Sequence, residues 1–172
     1  MHNILHFFLM SLSYKVRDFL WPRRLILKET GIKLGDRVLD FGCGPGSYIL
    51  PLARMVDSQG EIYALDINPL AVRRIEALAK KNELKNIKTI QSDGPTGIPD
   101  DYFDAILLYD LFHDLKNPEA ILKELHRVLK PEGTLSFSDH HLKEGQIIKA
   151  LTSSNLFRLV KKGRFTYSFR KI

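Results

Sequence analysis

Arg37-Val-Leu-Asp-Phe-Gly-Cys-Gly-Pro-Gly46 is the stretch whose reading decides the fold. A short apolar β-type run, Arg37 to Phe41, carries an acid, Asp40, one residue before its end and enters a turn whose glycines stand at i, i+2 and i+4. Glycine at that spacing lets backbone approach a ligand with no side chain in the way. A helix is expected from about Tyr48 to Val56. A strand, a glycine turn and a helix in that order begin an open α/β sheet, which binds its ligands at the carboxyl ends of its strands and at helix N-termini.

The next run, Glu61-Ile-Tyr-Ala-Leu-Asp66, reads as a second strand, and Asp66 falls 20 residues after Gly46. A carboxylate there is placed to accept two hydrogen bonds from a ribose diol. A dinucleotide fingerprint would put its third glycine five positions after the first, where this chain has Ser47, so a dehydrogenase reading is disfavoured. Asp40, just ahead of the glycines, suits a cofactor bearing a cationic amino group and would repel a pyrophosphate.

Farther along, strands are expected over residues 86–91, 103–109 and 134–139, with helices opened by Asn68-Pro69 and Asn117-Pro118. The second of these helices should stop at Lys130-Pro-Glu-Gly133. After a helix near residues 145–153, Phe157–Lys162 and Arg164–Arg170 flank Gly163 as a terminal hairpin. Strands alternating with amphipathic helices imply a doubly wound, mostly parallel sheet.

With those motifs in place, the chain resembles the class I S-adenosylmethionine-dependent methyltransferases. Val38 to Gly46 resembles that family's first motif and Ala64-Leu-Asp66 its acidic motif. Further likeness runs through Ser92-Asp-Gly94, Phe103–Tyr109 and Arg127–Thr134, covering about residues 30–170. The resemblance implies a Rossmann-like seven-stranded sheet whose last strand is antiparallel and inserted beside the fifth. It also implies S-adenosyl-L-methionine as cofactor and S-adenosyl-L-homocysteine as product. By the same resemblance Asp40, Gly42, Cys43 and Gly44 would hold the methionine end and Asp66 the ribose. Ile67 would lie against the adenine, Asp93 and Gly94 would bond its edge, and Tyr109 would complete the cofactor set.

Methyl transfer needs a general base only where the acceptor must lose a proton. Candidates lie after the fourth strand, Asp110 and His113, and after the fifth, His140. Three histidines with Asp110, Asp114 and Asp139 match no metal-ligand spacing, so no metal is expected. His126 has no evident role.

The chain has 172 residues, with 26 Lys and Arg against 20 Asp and Glu, a net charge of +6. That length fits one domain, with residues 1–30 as a helical extension or lid and residues 31–172 as the methyltransferase domain. Residues 31–140 are acidic and both ends basic, which would suit an anionic acceptor at the border of the site. The single cysteine, Cys43, excludes an intrachain disulfide and a four-cysteine zinc site, and a cytoplasmic setting is expected. The apolar stretch Ile4–Leu12 is too short to span a membrane. It reads as a helix that covers the acceptor with Tyr14, Arg17 and Trp21, packs on the sheet edge, or touches a membrane surface. The leading function is methyl transfer to a small molecule. RNA methylation through the basic ends and non-catalytic cofactor binding are the alternatives.

Overall fold

The computed structural model describes residues 23–172; Tyr14, Arg17, Trp21 and the apolar stretch before them lie outside the described residues. Seven strands make one sheet: β1 Arg37–Phe41, β2 Glu61–Asp66, β3 Ile87–Gln91, β4 Phe103–Tyr109, β5 Leu129–Ser138, β6 Phe157–Lys162 and β7 Tyr167–Lys171. Their order across the sheet is β3-β2-β1-β4-β5-β7-β6. The first five are parallel, and β7 runs antiparallel to both β5 and β6. The expected sheet, with its late antiparallel strand beside the fifth, is the one observed.

Among the described residues five α-helices cover it: α1 Arg23–Leu27, α2 Ile49–Val56, α3 Pro69–Lys81, α4 Pro118–Val128 and α5 Glu144–Thr152. Both Asn-Pro openings act as read. The Asn68 side chain accepts from the Leu70 amide at 3.0 Å and Asn117 from the Ala120 amide at 3.2 Å, with Pro at the first helical position of each. Among the described residues no helix is long and apolar enough to cross a membrane.

Strand β4 shows why the sheet is central. It is nearly all apolar and buried, and its residues alternate between two cores. Ile106 and Leu108 join α4 residues Leu122, Leu125 and Val128 on one face. Ala105, Leu107 and Tyr109 join α2 residues Ile49, Leu52 and Val56, with Leu27 of α1, on the other. A continuous apolar run is what a parallel strand covered on both faces requires.

Two boundaries differ from the sequence reading. Strand β5 begins at Leu129, not at Thr134: Leu129 pairs with Phe103, and the register then jumps to Thr134 opposite Ala105. Residues 130–133 therefore form a bulge within a strand, where Pro131 gives up no ladder hydrogen bond. A Cβ on Gly133 would come within 2.6 Å of Leu129 Cδ1, so the bulge closes only around glycine.

Strand β7 begins at Tyr167, not at Arg164, because residues 164–166 wrap a carboxylate. Glu29 accepts from the amides of Arg164 (2.9 Å), Phe165 (3.0 Å) and Thr166 (2.9 Å) and from the Thr166 hydroxyl (3.0 Å). Burial alone would raise the Glu29 carboxyl, but these donors outweigh it and hold it below the ordinary glutamate value. The segment after α1 is thus clasped to the terminal hairpin. Because the folded-state value is lowered, the clasp stabilises fully above the ordinary glutamate range and is lost as pH falls through the lowered value. Glu29→Ala should cost roughly 1–3 kcal/mol at neutral pH, read as a lower urea midpoint; an unchanged midpoint would show that the clasp carries no stability.

Candidate functional site

The glycine turn sits where β1 and β2 end. The amides of Gly42 and Cys43 both donate to the Leu65 carbonyl, at 2.8 and 2.9 Å, which pins the turn to the end of β2. Gly42 has φ +81°, a conformation that favours glycine, and it lies against the Leu111 side chain of the β4 loop. Gly44 has φ +50°, and a Cβ there would meet nothing within 4 Å. At Gly44 glycine serves the backbone and leaves open room for a ligand.

Asp66 joins the two arms of the site. Its Oδ2 accepts from the Gly44 amide and its Oδ1 from the Asn68 amide, each at 2.8 Å. A carboxylate oxygen has two lone pairs, so each oxygen keeps one acceptor position. Asp40 lies deeper, 3% exposed, and among the described residues its Oδ2 is a buried oxygen with no hydrogen-bond partner. Burial first, and then the neighbouring Asp66 charge, push the Asp40 carboxyl up to about 7.

These groups wall a cavity of about 200 Å³ at the carboxyl edge of the sheet. Asp40, Gly42, Cys43, Asp66, Tyr109 and Asp110 all line it, so the structure brings together six residues chosen from sequence. Burial pushes the Cys43 thiol up, so it stays protonated and acts here through its backbone. Tyr109 bonds Ser136 Oγ at 2.7 Å and packs edge-on against Tyr48, with centroids 5.0 Å apart. A larger open groove of about 570 Å³ lies at the opposite, amino-terminal edge, lined by Arg37, Asp57, Glu61 and Lys85 among others. No part of the glycine turn reaches it.

Four of the residues expected to hold the cofactor lie outside the cavity wall, Gly44 among them at its rim. Ile67 is 57% exposed just beyond Asp66, and Asp93 is exposed on the loop after β3. The Gly94 amide donates to Ser92 Oγ at 3.1 Å. Conversely, Tyr48, Leu111 and Asp114 line the cavity without having been picked from sequence. Their only sequence signal was position, just past a strand end or a glycine turn.

On the acceptor side the loops after β4 and β5 exchange hydrogen bonds crosswise. His113 Nδ1 meets Asp139 at 2.9 and 3.1 Å, and His140 Nδ1 meets Asp110 at 2.8 Å. His141 stacks between the two histidine rings, with centroids 4.0 and 3.9 Å away. Among the described residues no three His, Cys, Asp or Glu side chains converge as metal ligands. His126 packs edge-on against Phe157 at 5.6 Å, a packing role.

The described part of the site gives no support to the anionic acceptor expected from the basic chain ends. The described cavity wall carries Asp40, Asp66, Asp110 and Asp114 and no Lys or Arg. Basic residues of the C-terminal segment sit on the hairpin instead, where Lys162 pairs with Glu144, Arg170 with Glu132 and Lys171 with Asp101. An anion would find no counter-charge in this wall.

A mostly parallel sheet in this order, a glycine turn at its carboxyl edge and an acid at or next to the end of each of the first two strands define a class I S-adenosylmethionine-dependent methyltransferase. Residues 32–171 match the family described as methyltransferase domain, and the chain belongs to that family. It is 31% identical over 144 residues to the ubiquinone/menaquinone biosynthesis C-methyltransferase UbiE of Marinomonas sp. strain MWYL1, covering 82% of this chain and 57% of that protein. It is 30% identical over 129 residues to a demethylmenaquinone methyltransferase of Geobacillus kaustophilus, covering 74% of this chain and 55% of that one. The chain spans about half the length of the curated relatives it matches. A crystal structure of a SAM-dependent methyltransferase from Aquifex aeolicus superposes with a TM-score of 0.77 at 27% identity, covering 94% of this chain and 97% of that one.

The Asp40 environment makes a stability prediction with a definite sign. Its folded-state value is raised, so between about pH 4 and pH 7 the folded chain holds a proton that the unfolded chain has lost, and stability falls as pH climbs through that window. Asp40→Asn should therefore raise the melting temperature at pH 8, by at most roughly 4 kcal/mol in stability. The gain should fade toward pH 4. An equal effect at both pH values would contradict the assigned environment.

Proposed function

We propose that this chain binds S-adenosyl-L-methionine in the glycine-turn cavity and transfers its methyl group to a small-molecule acceptor, releasing S-adenosyl-L-homocysteine. The single observation that carries the reading is the orphaned, buried Oδ2 of Asp40 beside Asp66. An isolated carboxyl in that position is costly to keep, and a cationic amino group is the counter-charge it lacks. The remaining acceptor positions on Asp66 suit two ribose hydroxyls, and the space above Gly44 suits the chain that joins amine to sugar.

When bound, S-adenosyl-L-methionine supplies a methyl carbon already activated by a positive sulfonium. The protein's part is to orient the acceptor in line with that carbon and to keep water from it. Leu111, Tyr48 and Tyr109 provide an apolar wall beside the acids. For the adenine, Ile67 and Asp93 remain the residues that the family resemblance suggests. Gly94 would have to exchange its bond to Ser92 to take part.

The relatives named for quinone biosynthesis support a small-molecule acceptor. RNA methylation has less support, because the described cavity wall carries aspartates and no Lys or Arg to meet a phosphate backbone.

Calorimetry with S-adenosyl-L-homocysteine tests the cofactor reading. Binding is expected for the wild type, and Asp66→Ala should weaken it roughly 10- to 100-fold, the worth of hydrogen bonds to a charged acceptor. Wild-type affinity in that variant would refute the ribose assignment.

A further inference from the structure

Resting on the reading above, we infer that Glu124 of α4 is a positioning residue for the base of the cofactor. By holding Thr96 it fixes Asp93, so that the site takes a base with an amino group on its edge and turns away one with a carbonyl there.

The order of the strands says where the base goes. On the reading above, Asp40, next to the end of β1, takes the amino group and Asp66, at the end of β2, takes the ribose. In this cofactor the sulfonium chain and the base leave the ribose from opposite sides. A molecule laid from β1 to β2 therefore carries its base on toward the next strand, β3. The loop after β3, residues 92–101, is the base's neighbour. Within it Asp93 is exposed, and a carboxylate there accepts from an amino group and repels a carbonyl oxygen.

Asp93 stands between two anchors. On one side the Ser92 amide donates to the Asp66 carbonyl at 3.2 Å. On the other, Gly94 lies against the Ile121 side chain. Glu124, one turn farther along α4, accepts from the Thr96 amide at 2.9 Å and from its hydroxyl at 2.6 Å. Thr96 is buried, and its hydroxyl oxygen accepts in turn from the Ile98 amide at 3.2 Å. Arg127 donates to the two Glu124 oxygens at 2.9 and 2.8 Å and to Asp100 at 2.5 Å. The bond from Arg127 first, with those from Thr96 and against burial, holds the Glu124 carboxyl down to about 2. The clamp is thus charged at any pH near neutrality.

Without Glu124 the Thr96 anchor is lost. The next backbone tie to α4 is then the Asp101 amide on the Arg127 carbonyl, at 3.0 Å. A longer stretch carrying Asp93 would have to be ordered over the base on binding, a cost that the clamp removes beforehand. A clamp that only stabilised the fold would act on every cofactor alike. A positioning clamp acts on the part of the ligand that Asp93 meets.

Calorimetry on the full chain separates the two, with S-adenosyl-L-homocysteine and with S-inosyl-L-homocysteine, in which a carbonyl replaces the amino group of the base. The wild type should bind the adenine ligand roughly tenfold tighter or more, the worth of a hydrogen bond to a charged acceptor. Glu124→Ala should weaken the adenine ligand roughly tenfold and leave the hypoxanthine ligand nearly unchanged, which brings the ratio toward one. Glu124→Gln keeps an oxygen that can accept from Thr96 and should restore part of the ratio. Where Glu124→Ala does not fold, Thr96→Val, which removes only the hydroxyl donor, should move the ratio in the same direction. The inference is overturned if the wild type binds the two ligands equally. It is also overturned if the ratio in Glu124→Ala, or in Thr96→Val where the first variant does not fold, equals that of the wild type. In those cases S-adenosyl-L-homocysteine still binds and the cofactor reading stands. Where the wild type binds neither ligand, the cofactor reading fails and this inference fails with it.

Discussion

Two carboxyls at neighbouring strand ends set the terms for everything else at this site. Asp40 and Asp66 stand on adjacent parallel strands, and the deeper of the two is buried with an oxygen left without a partner. Folding accepts the cost of burying a carboxyl here because the sheet, the glycine turn and the β4 loop over-determine its position. The glycine turn is bonded to the Leu65 carbonyl and to Asp66 itself, so it cannot relax away from the acids. Such a site is unfavourable alone and becomes favourable with a cation beside it. That is the physical sense in which the fold is prepared for a ligand.

How much of this was legible in the sequence depended on how local each feature is. Strands β1 to β4, the Asn68 and Asn117 caps and the spacing of Asp66 from the glycines could be read because periodicity and turn chemistry act over a few residues. The starts of β5 and β7 could not. Residues 130–133 look like a helix stop, and only pairing with β4 makes them a bulge. Residue 164 looks like strand until Glu29, 135 positions earlier, claims its amide. The partnership of Asp139 with His113 was hidden for the same reason, since the two lie 26 residues apart and meet only where two loops cross.

Net charge was the least transferable reading. The excess of Lys and Arg invited an anionic partner, yet in the described structure part of it is spent on ion pairs along the terminal hairpin, while the cavity is walled by aspartates. Composition reports the whole surface, and a binding site reports a few residues chosen from it.

The central claim is that Asp40 carries a proton in the free protein and gives it up to pair with the cofactor's amino group. Calorimetric titration of S-adenosyl-L-homocysteine at pH 6 in two buffers of different ionisation enthalpy measures this directly. With Asp40 near 7 in the free protein, binding should release close to one proton at pH 6 and almost none at pH 9. Binding heats that are identical in both buffers at pH 6 would mean that Asp40 is not the counter-charge, and the account of the site would be wrong at its base.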